Sequence, residues 1–264
     1  VSERFLHVHL NNHFSQTYEI IASVIQKDAE LWDAFSRKFS GNFRDLAGKY
    51  SRHPLFSDVD GQTAQAIVYD SYPLHPVSTF ILPRLSEKVA QNERTLFTFL
   101  SAEGTSTLSA FLDTYDDQDF RVITPDLIYD YFEPLLKKEA YEGGIHHTFI
   151  LASLILERLG DDLLQRKIVK TIALIYMLEQ FERIRPTIGE LADVFSVSYT
   201  HEEIEEAIRD LVGSKFLVYL KRSNGYLQLK QASGIDIQEK IHDLIEAKAS
   251  RIVVKDILNS TNFD

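Results

Sequence analysis

Apolar residues recur at three- and four-residue steps along most of this chain. Between Ser15 and Ser40, Tyr18, Ile21, Ile25, Ala29, Trp32, Phe35 and Phe39 fall on one stripe, the period of an amphipathic helix. That spacing predicts a single helix over 15–40, stopped at Gly41. Thr124-Pro125 opens another, with threonine as cap, proline at the first helical position, and Leu127, Ile128, Tyr131 and Leu135 on its apolar side. Gly143-Gly144 breaks the chain before a Leu- and Ile-rich helix over 145–159. Residues 5–14 fit either a strand or a helix, because Leu6, Val8 and Leu10 alternate while Leu6, Leu10 and Phe14 also share a helical face. The expected class is mainly α.

Beyond residue 160 the pattern is more specific. A helix over 168–178 is followed by two capping-box sequences, Thr187-Ile188-Gly189-Glu190 and Thr200-His201-Glu202-Glu203. The second opens a helix that turns Ile204, Ala207, Ile208 and Leu211 inward and stops at Gly213. Runs over 216–221 and 226–230 flank Ser223-Asn224-Gly225, and Asn-Gly is a strong hairpin signal. Helix, short helix, helix, hairpin is the winged-helix order. The expected organisation is therefore a helical, lid-like domain over 1–160 and a winged-helix domain with a small β-hairpin over 161–264. Asp236 caps a C-terminal helical extension carrying Ile237, Ile241, Leu244 and Ile245.

Composition removes several chemistries. The chain of 264 residues has no cysteine, which excludes disulfides, thiol catalysis and a Cys-based zinc site and suits a reducing, cytoplasmic setting. Its longest apolar run, Ile172 to Leu178, is far shorter than a membrane span. His7, His9 and His13 have no carboxylate among them, and His146-His147 point in different directions, so no metal site is expected. Gly48-Lys49 imitates a phosphate loop, but Phe43 stands where its first glycine belongs and Tyr50 where Ser or Thr would hold magnesium. Ile67-Val68-Tyr69-Asp70 similarly imitates a magnesium-holding strand end, and reads instead as a buried helix end. The start at Val1, with Met177 the lone methionine, is expected to mark a fragment of a longer polypeptide.

The stretch from Ser71 to Leu100 is the least generic. Pro73 and Pro76 hold the backbone extended around His75, and Pro83 interrupts or restarts a helix bearing Phe80, Ile81 and Leu85. Asn92 is the expected cap of a helix with Leu96, Phe97, Phe99 and Leu100. Arg94 would then lie in the first turn, where the helix dipole disfavours a cation. It needs a partner there, either an internal carboxylate or a bound anion.

Ser71-Tyr72-Pro73-Leu74-His75-Pro76, Leu82-Pro83-Arg84-Leu85-Ser86 and Gln91-Asn92-Glu93-Arg94-Thr95-Leu96-Phe97-Thr98-Phe99-Leu100 together resemble a group of large bacterial P-loop ATPases. The group includes those of BREX/Pgl-type phage-defence loci. It often has glycine before the glutamine, where this chain has Ala90. The resemblance implies an AAA-like core followed by helices and a winged helix, this chain being the part after the core. ATP and Mg would be bound by that core, a partner within the same polypeptide, and no cofactor by this chain. Arg94 becomes a candidate sensor or finger arginine, with Gln91 and Asn92 nucleotide-proximal and orienting it. Equally, Gln91 to Arg94 is a structural helix cap with an internal ion pair, and His75 a hydrogen-bonded hinge residue rather than a catalytic one.

Duplex recognition is disfavoured. The third helix of the winged-helix order carries Glu202, Glu203, Glu205, Glu206 and Asp210 against Arg209, and the net charge is −11, so its face repels phosphates. Lys221 and Arg222 on the wing are the candidate nucleic-acid contacts, and a protein partner suits the winged helix better. The expected function is a non-catalytic regulatory region of a P-loop ATPase, coupling nucleotide state to conformational change or partner binding. The alternative is a stand-alone winged-helix DNA-binding or protein-adaptor regulator.

Overall fold

The structure, a computed structural model, describes residues 14–90, 94–138, 143–221 and 223–230. The ambiguous segment over 5–13, the expected cap Asn92 and the expected helix after Asp236 lie outside these residues. Among the described residues there are twelve α-helices and one two-stranded antiparallel sheet.

The apolar stripe over 15–40 is divided between helices. Residues 14–24 form α1 (Phe14–Val24), residues 29–38 form α2 (Ala29–Lys38), and α3 (Ser40–Tyr50) begins where a stop was expected. Asp28 makes the break. Its backbone is extended, and its carboxylate accepts from the amides of Glu30 (3.1 Å) and Leu31 (3.0 Å), a local bond that competes with continuous helix. Tyr18, Ile21 and Ile25 are buried, whereas Trp32 and Phe35 join Phe43, Tyr69 and Tyr72 in an aromatic cluster. Gly41 sits inside the first turn of α3 and stops nothing.

A 3-10 turn (Pro54–Phe56) leads to α4 (Gly61–Asp70), capped by Asp60 and burying Ile67 and Val68 near its end. In α5 (Pro76–Leu85) every residue is buried. It continues through Pro83 and passes into a π-helical turn (Ser86–Ala90). Next come α6 (Arg94–Ser101), α7 (Leu108–Asp113), α8 (Pro125–Leu136) and α9 (Gly144–Arg158). Thr124 precedes α8 as expected, but its hydroxyl donates to the Asp126 carboxylate rather than capping the backbone. His146 is buried and His147 exposed.

The core is organised around α10 (Leu163–Leu178), which begins five residues before the expected helix start because Asp162 caps it through the Gln165 amide at 2.9 Å. Ten of its sixteen residues are buried, and from Thr171 to Leu178 Tyr176 alone is partly exposed, so its second half has almost no solvent face. It packs against α5, α8 and α9, and also against α12 (His201–Gly213) and strand β2 (Leu227–Leu229). A division near residue 160 thus falls just before the helix that both halves share. The described residues all belong to one compact unit.

Between α10 and α12 lies α11 (Ile188–Phe195). Thr200 and Glu203 form a complete capping box on α12. At α11 only Thr187 does its half, because the Glu190 carboxylate turns to His53 instead, at 3.1 Å. Strand β1 (Leu217–Tyr219) pairs with β2 in the register Leu217↔Leu229, Val218↔Gln228 and Tyr219↔Leu227. Gly225 supplies the left-handed turn residue (φ 64°). The Leu227 amide donates to the Pro186 carbonyl at 2.7 Å, tying the hairpin to the loop after α10. No described helix is long and apolar enough to cross a membrane.

Ile172, fully buried on α10, tests this arrangement. Ile172→Ala should cost about 2–5 kcal/mol in urea unfolding. Trp32 fluorescence and far-ultraviolet circular dichroism should report one coincident transition; two separate transitions would show that the halves do not share α10 as a common core.

Candidate functional site

Two short bonds set the entry to α5. The His75 amide donates to the Ile123 carbonyl (3.0 Å), and the Ile123 amide to the Pro73 carbonyl (2.8 Å), a parallel bridge of Leu74 with Ile123. His75 is extended (φ −62°, ψ 145°) and caps α5, its Nδ1 accepting from the Val77 amide at 3.2 Å, with Pro76 at the first helical position. Accepting at Nδ1 leaves the ring proton on Nε2. The imidazole is fully buried, with the Tyr50 ring edge-on at 5.2 Å. Burial drives its pKa down to about 3, and the charge of Lys49 adds to the effect. His75 is therefore a neutral cap at physiological pH.

Arg84 is the buried charge of this stretch, with 5% of its surface exposed. Four residues after Phe80 on α5, its guanidinium stacks 3.7 Å from that ring's centroid. Nη1 donates to Tyr18 Oη (2.6 Å) and the Phe80 carbonyl (3.1 Å), and Nε to Gln180 Oε1 (3.1 Å). Nη2 lies 3.9 Å from Asp58 Oδ2, whose other oxygen is 3.3 Å from Arg183 Nη1. One side chain thus joins α1, α5, the loop before α4 and the segment after α10. Burial lowers the Arg84 pKa, an effect opposed by Tyr18 and Asp58, and a guanidinium so placed stays protonated.

Lys88, in the π-helical turn, makes a second grip. Its Nζ donates to the Met177 carbonyl (2.8 Å), the Leu178 carbonyl (3.4 Å) and Glu179 Oε2 (3.2 Å). The Met177 and Leu178 carbonyls end α10 without helical partners and form the negative end of its dipole, where a cation is favoured.

Arg94 is the first residue of α6 and is exposed. Among the described residues its guanidinium makes no hydrogen bond or ion pair, while Leu96, Phe99 and Leu100 anchor the helix beneath it. Gln91 and Asn92 lie outside the described residues, as does Arg222. Lys221 is exposed just after β1, and no described contact joins it to Arg94. Glu202, Glu203, Glu205, Glu206 and Asp210 are all exposed on α12. Gly48-Lys49 lies in α3, with Lys49 bound to Asp193 (2.9 Å) and Ser196 (3.1 Å). No cluster of three metal-ligating side chains occurs among the described residues.

Reading the sequence singled out neither Arg84 nor Lys88 for a role. A signal for Arg84 was present: a lone cation inside the apolar run Phe80–Leu85 must be buried with partners. Those partners, 66 and 96 residues away in sequence, carry no local mark. A scan against protein-family models, a search of curated proteins and a search of solved structures each found no match.

Two outcomes follow from these charges. Arg84→Met leaves Asp58, Tyr18 and Gln180 without their shared donor and should cost about 3–5 kcal/mol in urea unfolding; a loss below about 1 kcal/mol would show the network is dispensable. For His75, the unfolded imidazole protonates near 6.5 and the folded one near 3. The unfolded state binds the extra proton in between, so stability present above the first value is lost as pH falls towards the second. His75→Asn, which keeps a capping oxygen, should flatten that fall by up to about 1.4 kcal/mol per pH unit. An unchanged slope in urea melts between about pH 6 and 4 would contradict a buried neutral His75.

Proposed function

We propose that this chain is the coupling region of a P-loop ATPase whose nucleotide-binding core lies elsewhere in the same polypeptide. In this reading residues 163–230 form a winged helix, and Arg94 is the sensor or finger arginine, oriented by Gln91 and Asn92. ATP and Mg would be held by the core, since Gly48-Lys49 is helical and Lys49 is committed to Asp193 and Ser196.

The observation that carries the reading is the contrast between neighbouring cations. Arg84 and Lys88 are fastened to Gln180 and to the last carbonyls of α10, while Arg94, at the next helix start, is exposed and uncommitted among the described residues. An anion drawing on Arg94 would pull on α6, and α6 packs against the π-helical turn that grips α10. Because α12 and β2 pack on α10, a displacement at Arg94 has a contiguous path to the winged helix. Only a ligand with different affinity for two arrangements can drive such a shift, and charge on a transferring phosphoryl group supplies that difference.

The output surface suits a protein. Tyr219 and Leu220 on the hairpin are 43% and 48% exposed, and the carboxylates of α12 repel a phosphate backbone. The absence of cysteine agrees with a cytoplasmic setting.

The test uses the full natural polypeptide that contains this chain. Arg94→Ala should lower ATP turnover by about a hundredfold or more, with nucleotide affinity changed far less. Unchanged turnover, or a natural polypeptide without ATPase activity that shifts duplex DNA, would overturn the proposal in favour of a stand-alone regulator.

A further inference from the structure

A cleft of about 550 Å3 runs along α2, opposite Tyr72-Pro73 and the segment from Leu112 to Asp117. Its walls are aromatic. Trp32 and Phe35 stack with centroids 5.8 Å apart, Tyr72 lies 5.6 Å from Trp32, and Tyr115 lies 6.3 Å from Phe35. Leu31 and Leu112 stand at the rim, 73% and 49% exposed. Volume and lining are those of a small-molecule site.

Two lysines line the cleft, and both are held by neutral oxygens. The Lys27 ammonium donates to the Asp70 backbone carbonyl and lies 4.8 Å over the Trp32 ring. Lys38 donates to the Asp117 backbone carbonyl (3.0 Å) and to Gln118 Oε1 (3.1 Å). Neither forms an ion pair with a carboxylate among the described residues. Of the carboxylates nearby, Asp28 accepts from the first amides of α2 and Asp117 from Gln118 Nε2 at 2.7 Å, while Asp70 acts on Lys27 through its charge without forming an ion pair with it. Since α2 is about 15 Å long, the two ammoniums mark opposite ends. Lys27 is the half-buried one, and burial lowers its pKa against the charge of Asp70. A partly buried ammonium whose one hydrogen bond goes to a neutral carbonyl keeps donors for an anion.

We propose that this cleft binds a small ligand with a flat apolar ring system and one anionic group, the rings against Trp32, Phe35 and Tyr115 and the anion on Lys27. The inference is independent of any ATPase role, although Tyr72-Pro73, which wall the cleft, also lead into His75.

Trp32 is the chain's lone tryptophan, so its emission reports the cleft directly. The probes are 1-anilinonaphthalene-8-sulfonate and N-phenyl-1-naphthylamine, the same rings without the sulfonate. The sulfonate should quench Trp32 saturably and bind about tenfold tighter than the neutral probe. Lys27→Met should abolish that advantage while leaving the neutral probe's binding intact, which also shows that the variant is folded; Lys38→Met should keep the advantage. Trp32 emission insensitive to both probes, equal affinity for the two, or a tenfold advantage surviving in Lys27→Met would each overturn the proposal.

Discussion

The second half of α10, Thr171 to Leu178, is buried on nearly every side, and such a segment can exist in water only if other elements cover it. That constraint, imposed by α10, organises the described fold. Ten residues of α10 between Leu164 and Leu178 are buried, and α5, α8, α9, α12 and β2 supply the cover. Each partner is itself amphipathic or, like α5, buried throughout. The helical part and the hairpin-bearing part therefore meet on one shared element.

Such a core still has to admit polar ends. The last carbonyls of α10 would be left without partners, and Lys88 reaches across from the π-helical turn to meet them. Arg84 solves a related problem inside α5. Its fork takes Tyr18, the Phe80 carbonyl, Gln180 and Asp58 while its flat face covers Phe80. A lysine could satisfy part of that set but not the stacked, multiply donating geometry. With these two cations bonded within the structure, Arg94 is the one in the stretch with no partner among the described residues, which is why the coupling proposal rests on it.

How far local sequence reached can be judged element by element. Thr200 and Glu203 bond one another across a single turn, so their capping box was readable directly. Asn224-Gly225 announced the hairpin for the same reason, and Pro73 and Pro76 the extended backbone at His75. The stripe over 15–40 misled because its apolar residues serve two different neighbours. Periodicity cannot distinguish one long helix from two that share a face, and the Asp28 cap settled it. Glu190 looked like half of a capping box until His53, from another part of the chain, took its carboxylate.

The sequence by itself determined the helical class, the Thr200 cap and the turn at Asn224-Gly225 that makes the hairpin, because each depends on residues within a few positions of one another. Only the tertiary structure decided which cations are buried and which stay outward, what bridges His75 to Ile123, and that Trp32 walls a cleft beside Lys27. Those outcomes depend on groups tens of residues apart, whose meeting is set by how helices cover α10 rather than by any local pattern.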